Sequence, residues 1–385
     1  MPNYSGVWTL QEQYEAVLEG NWPEIFRAEL YIWGDNGDGE LGLGDVNDTS
    51  SPVQVGSESD WSVVSSGQSV TSGVKTNNTL WSWGSSSVGR HGLNDSISRS
   101  SPVQIGALTV WADVSLGGAF GVARTTSGEL YSWGQDANGR LGLNAVSGAV
   151  SSPTQIGSLT DWSKISAGGS FVLATKTDNT LWAWGYNGRG NLGDGTTVDK
   201  SSPVQIGALT DWDEISAGYE TATGAFCMAI NSSGELYAWG DPVYGSLGLN
   251  INTPELKSSP VQVGALTNWS KVAAGAAHTL AVKSDGTLWS WGRGAFGRTG
   301  HNDEVDRSSP VQIGSDTDWA DVSASYHSLA LKTDGTLWAW GIGATGRMGL
   351  GDIINRSSPV QIGSLVKWSS VSAGLDHSSG LFRIT

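Results

Sequence analysis

The chain has 385 residues, a formal net charge of −16, 54 Gly, 20 Trp and a single Cys. One cysteine excludes a disulfide framework and any multi-cysteine zinc site. The acidic balance argues against nucleic acid as a partner, because that affinity rests on Lys and Arg neutralising phosphates, and no apolar run approaches the roughly 18 residues of a membrane span. The opening MPNYSGVWTL has neither the basic nor the apolar region of a secretory signal. Residues 1–26 read as a segment of their own. Thr9-Leu10-Gln11-Glu12 fits a capping box, with Thr9 as N-cap and Glu12 reaching back to its amide. Leu10, Tyr14, Val17 and Leu18 follow on one face at helical spacing, and Gly20-Asn21 and Pro23 supply the stop. A helix of about ten residues is marginal alone in water, so its apolar stripe must dock, either as a plug beneath the rest of its own chain or as an anchor on a partner, with Trp8, Leu10, Tyr14, Val17, Leu18 and Trp22 as the expected docking residues.

From residue 27 onward one unit recurs. SSPVQ and its variants place Pro at 52, 102, 153, 203, 260, 310 and 359. The string L-[WY]-x-W-G places Trp at 33, 83, 133, 184, 239, 291 and 340, and a further Trp follows each SSPVQ at 61, 111, 162, 212, 269, 319 and 368. Three markers with the same count and the same spacing of about 51 residues establish seven repeats. Thr279–Lys283 and Thr287–Trp291 flank Ser284-Asp285-Gly286, a hairpin signal. Strands are also expected at Pro310–Ile313 and Ala320–Ser323. Four short strands per unit, with no sustained helical period, fit a propeller blade. The first L-Y-x-W-G lacks its preceding hairpin strand and the last repeat lacks its following one. Glu29–Trp33 should therefore pair with Gly380–Ile384 and close the circle. The expected architecture is all-β: residues 1–26 as a docking segment with a short helix, and 27–385 as one seven-bladed propeller of four-stranded blades.

Units such as VAAGAAHTLAVKSDGTLWSWG (272–292) and VSASYHSLALKTDGTLWAWG (322–341), with GRLGL (139–143) and SSPVQIG (308–314), resemble the regulator of chromosome condensation repeat. The resemblance implies a seven-bladed propeller. It does not imply one function, since the family includes a nucleotide-exchange factor, a secreted inhibitor and proteins of unknown role. A second resemblance lies in G-V-W-x-L-x-E-Q-Y…G-N-W-P, carried by Gly6, Val7, Trp8, Leu10, Glu12, Gln13, Tyr14, Gly20, Asn21, Trp22 and Pro23. It is similar to a short segment of structural proteins from marine tailed phages. That resemblance implies a virion component assembled in the host cytoplasm. Residues 1–26 would contact other virion proteins, and the propeller would be displayed toward a host-surface receptor or glycan. The alternative is a cellular regulatory or adaptor propeller, of exchange-factor or inhibitor type.

The search for chemistry gives no catalytic, cofactor or metal site. His278, His327 and His377 share a repeat position with Val70, Phe120, Phe171 and Phe226, which reads as packing in an inner strand. His91 and His301 have no neighbouring carboxylate pattern for acid–base work. Asp35–Glu40 has Gly where a calcium loop needs oxygen ligands. Arg90, Arg140, Arg298 and Arg347 recur in one loop and are expected to cover neighbouring aromatic rings, the alternative being an anion-binding ring. Cys227 reads as a small buried residue. No G-x-S-x-G, H-E-x-x-H or phosphate-loop motif occurs, so an enzyme is not expected. The fourth repeat carries a five-residue insertion within Tyr219–Ala225. Departures from a repeat at one angular position suggest a recognition patch on a rigid scaffold, with Tyr219, Glu220, Tyr244 and Leu256 as its candidates.

Overall fold

The computed structural model describes residues 27–144, 148–219, 224–251 and 255–384. The expected helix with Trp8, Leu10, Tyr14, Val17, Leu18 and Trp22 lies outside the described residues, as does Glu220. The described residues form seven four-stranded antiparallel sheets, the blades of a ring.

Within a blade the chain runs from axis to rim. In blade 1 the strands are Trp61–Ser66, Val70–Lys75, Leu80–Gly84 and Arg99–Gln104, in that spatial order. First strands of adjacent blades touch one another, so they surround the axis. The second strand is buried throughout, whereas the fourth, RSSPVQ, is half exposed. This explains how every unit carries Pro there: an edge strand has no outer ladder that needs the missing N–H. The phase of the repeat needs one correction. Ala320–Ser323 does not complete the unit of Thr279–Trp291. Trp319–Ala324 opens the next blade, because the loop after SSPVQ crosses from rim to axis.

Blade 7 is built from both ends of the propeller. Arg27–Gly34 and Thr49–Gln54 join Trp368–Ala373 and His377–Ile384 in one sheet. The ring closes through the expected pair of terminal strands, but two residues out of the expected register: Glu29 stands opposite Phe382 and Trp33 opposite Ser378, because the pairing runs on to Arg27 opposite Ile384.

The core lies between blades rather than within them. Each cluster joins two neighbours, as where Phe171, Leu173 and Leu181 of blade 3 meet Trp212, Cys227 and Trp239 of blade 4. The Trp of each W-G string is fully buried and donates its indole N–H to a loop carbonyl of the preceding blade. Trp83 donates to Glu40, Trp133 to Arg90, Trp184 to Arg140, Trp239 to Asn191, Trp291 to Ser246, Trp340 to Arg298 and Trp33 to Arg347, at 2.9–3.1 Å. The glycine of the same loop makes room for the ring: a Cβ on Gly349 would lie 2.9 Å from the Trp33 indole nitrogen.

Candidate functional site

Strand direction gives the ring two faces. The upper face carries the short loops between first and second strands, near the axis, and the long loops between third and fourth strands. The lower face carries the hairpin turns and the rim-to-axis crossings. On the upper face the axial loops pack backbone against backbone. Gly118 N–H donates to Gly169, Tyr219 to Gly275, Ala276 to Ser325 and Leu375 to Gly67. Gln68, Gly118, Gly169, Tyr219, Tyr326 and Leu375 therefore form a collar around the axis, and with Ala119, Gln135, Arg140 and Ser170 they line a depression of about 480 Å³.

Tyr219 is the side chain that spans this mouth. It belongs to blade 4, yet its hydroxyl donates to Gln68 Oε1 of blade 1 at 3.2 Å, and a Cβ on Gly118 of blade 2 would lie 3.0 Å from that oxygen. Burial pushes its phenol pKa up, against the lowering influence of Arg90 and Arg140.

The recurrent loop arginines are built alike. Arg90, Arg140, Arg298 and Arg347 each donate Nε to the carbonyl three residues earlier: Ser87, Ala137, Ala295 and Ala344. That bond turns the guanidinium toward the axial loop of the next blade. Arg347 shows the result: Nη1 donates to the Leu375 carbonyl at 2.9 Å and Nη2 meets Asp376 Oδ1 at 2.5 Å. Arg298 lies 5.7 Å from the Tyr326 ring and 5.8 Å from the Phe296 ring, and its Nη1 is buried without a partner. Burial and then Arg293 lower its pKa to about 10. The expectation that these arginines cover aromatic rings is met at Arg298. The regular cation–π partners are lysines instead. Lys75, Lys176, Lys283 and Lys332 each sit over two tryptophans, at 3.6–5.1 Å from the ring centroids. The reason is direction: the second strand runs them alongside the first- and third-strand Trp, while the loop arginines point to the axis.

The other candidates divide. Tyr244 lies on the upper face in a single tight turn, Val243–Gly245, with the Arg293 guanidinium 4.6 Å from its ring. Arg298 stands 5.7 Å from the Tyr326 ring, and Tyr326 and Tyr219 line the same depression. Leu256 precedes the outermost strand of blade 4, half-buried, and stands apart from it. Sequence reasoning passed over Gln68 and Tyr326. The available signal for Tyr326 was its place one residue before His327, an aromatic in an axial loop otherwise filled mostly by small residues.

The remaining polar groups are structural. His278, His327 and His377 open the second strands of their blades, not the innermost ones, and are fully buried. Each Nε2 meets a hydroxyl of the next blade, Ser328, Ser378 and Thr71, at 2.6–2.9 Å. Asn36 knits the Asp35–Glu40 loop, donating to Asp45 and Asn47 and accepting from Leu41 N–H. Cys227 donates its thiol to the Asn191 carbonyl. Among the described residues no group of three or more His, Cys, Asp or Glu is placed to hold a metal ion, and no helix is long and apolar enough to cross a membrane.

A closed ring of seven antiparallel blades with its loops gathered round a polar axial mouth is a seven-bladed β-propeller. The chain belongs to the family described as the regulator of chromosome condensation (RCC1) repeat. That description matches residues 28–74, 127–175, 178–223, 233–282, 285–331 and 334–381, and a second model of the same description matches 111–140, 162–191 and 269–298. The human E3 ubiquitin-protein ligase HERC2 is 32% identical over 136 residues, which is 35% of this chain and 3% of the ligase. The ultraviolet-B receptor UVR8 of Arabidopsis thaliana is 32% identical over 160 residues, 40% of this chain and 36% of the receptor. The chain therefore matches only a small part of the first relative and about a third of the second. Among solved structures, human WBSCR16 superposes with a TM-score of 0.81 at 18% identity, covering 92% of this chain and 98% of that one. Prp20p of Saccharomyces cerevisiae, described together with its binding to Gsp1p and histones, gives 0.81 at 21% identity, covering 100% and 97%. At these identities the structural likeness shows the fold.

Proposed function

We propose that this chain is a non-enzymatic binding propeller of the regulatory or adaptor kind, which takes up a protein partner on its upper face. The observation that carries the reading is the axial mouth. There the fourth repeat departs from the others, and Tyr219, Tyr326, Gln68 and Arg140 converge from different blades on one depression. Such a mixed aromatic and arginine surface is what protein interfaces enrich. The family supports the reading: Prp20p is described with Gsp1p and histones, and in a further structure with Kap60. A virion role through residues 1–26 rests on a segment outside the described residues, and the relatives favour the regulatory reading.

The test is affinity capture with three forms of the chain: wild type, Tyr219→Ala with Tyr244→Ala on the upper face, and Leu209→Ser with Leu266→Ser on the lower. A partner retained by the wild type and the lower-face form, and lost by the upper-face form, is expected. Loss confined to the lower-face form would overturn the assignment.

A further inference from the structure

The four loop arginines share one frame, but only one of them has a carboxylate waiting in the axial loop. In blade 7 Arg347 meets Asp376. The same axial position is identified in other blades by one backbone bond. Asp35 N–H donates to the Asp376 carbonyl, Gln135 N–H to Ala119 and Tyr186 N–H to Ser170. Where blade 7 presents Asp376 to Arg347, blade 2 thus presents Ala119 to Arg90. Ala119 is half-exposed and lines the 480 Å³ depression. Tyr219 borders the same place: its hydroxyl stands over Gly118, beside Ala119, and Tyr219, Ala119 and Arg140 line the one depression. Among the described residues no carboxylate lies within ion-pair distance of Arg90; Asp38 acts on it only from farther off.

We propose that the depression beside Ala119 is a carboxylate-binding site, in which Arg90 holds one acidic side chain of the protein partner in the way that Arg347 holds Asp376. The proposal rests on the upper face being the docking surface and names the group that docks. A guanidinium with its Nε already engaged still offers its two Nη groups, and a charge-assisted bond to a carboxylate is roughly twice as strong as a neutral one. The net charge of −16 sets the class of ligand further. At distances beyond a Debye length of about 8–10 Å the chain repels a polyanion, so the site selects a lone Asp or Glu in an otherwise neutral or basic surface, not a nucleic acid or an acidic tail.

The experiment uses the whole chain and a probe that needs no partner. Acetate, and separately the blocked peptide N-acetyl-Gly-Asp-Gly-amide, are titrated while the arginine side-chain N–H signals are followed by NMR, with chloride at equal ionic strength as the control. A saturable shift of the Arg90 signals with either carboxylate and not with chloride is expected. It should weaken about tenfold in Arg90→Gln, which removes a charged hydrogen-bond donor. Ala119→Asp should copy the Arg347–Asp376 pair within the chain, abolishing the response; Ala119→Asn keeps the shape without the charge and should leave most of it. A response equal in chloride, or one indifferent to both Arg90→Gln and Ala119→Asp in folded protein, overturns the proposal. If partner capture fails while acetate binds, the docking reading falls and the carboxylate site stands; the reverse result separates them the other way.

Discussion

At the scale of single residues, the buried histidines show how a hydrogen bond fixes a protonation state. Ser328, Ser378 and Thr71 each donate their one hydroxyl proton to a loop carbonyl, of Arg298, Arg347 and Glu40. They can only accept from the imidazole, so Nε2 carries the hydrogen and Nδ1, which has no partner, is bare. Burial and the nearby arginines hold all three groups well below the usual imidazole range, His377 at about 3. An unfolded imidazole titrates near 6.5. Below that pH the unfolded chain therefore binds protons that the native chain refuses. This stability is fully present above about pH 6.5 and is lost as pH falls toward 3, by up to about 1.4 kcal/mol per pH unit for each histidine. Replacing all three with Phe, the residue found at this position in blades 2, 3 and 4, should flatten the fall of Tm between pH 6.5 and 4. An unchanged slope would mean that other groups cause it. The sequence made these histidines legible as packing residues, because one repeat position alternates among His, Phe and Val. Their tautomer was not legible, because each partner comes from the next blade.

At the scale of the strand, the axial ring is tied by a belt of serines. Ser65 accepts the backbone N–H of Leu116, Ser115 that of Ala167, Ser166 that of Ala217, Ser216 that of Ala274, Ser323 that of Ala373 and Ser372 that of Ser66, all at 2.9–3.0 Å. Every bond links the first strands of adjacent blades. Blade 5 has Ala273 at this position, so its link to Ala324 is the one the belt lacks. Ala273→Ser should supply the acceptor and stabilise the ring by about 0.5–1.5 kcal/mol, read as a Tm increase. Ser216→Ala should cost a similar amount or more, since it leaves a backbone donor unmatched. If Ala273→Ser lowers Tm, the hydroxyl is not reaching the neighbouring strand. Strand content and order within the hairpins were legible from the Trp and Gly-turn spacing. The phase was not: a 51-residue period is the same wherever one starts counting, and only the crossing from rim to axis decides which strand opens a blade.

At the scale of the whole molecule, closure was legible because the repeat is cut inside its own hairpin. The structure turns that inference into a mixed blade with two strands from each end. The Trp33 indole bond to Arg347 continues the inter-blade series without a break. Removing residues after Gly374 deletes His377–Ile384, the strand between Trp368–Ala373 and Arg27–Gly34. It also opens the cluster of Trp33, Leu329, Trp368 and Phe382. Thermal unfolding should then occur at a markedly lower temperature and over a broader range; a full-length Tm in the truncated chain would show that the seven blades do not need the seam. The axial mouth was only half legible. An insertion names the loop that departs from its siblings, but which side chains meet across a ring depends on the circle, which brings blade 4 against blades 1 and 2.

The seam also has a polarity. Arg27 lies opposite Ile384, and Ala28 N–H donates to Ser59 in a rim-to-axis crossing, so this end of blade 7 opens on the lower face. Arg27 thus stands on the face away from Tyr219 and the loop arginines.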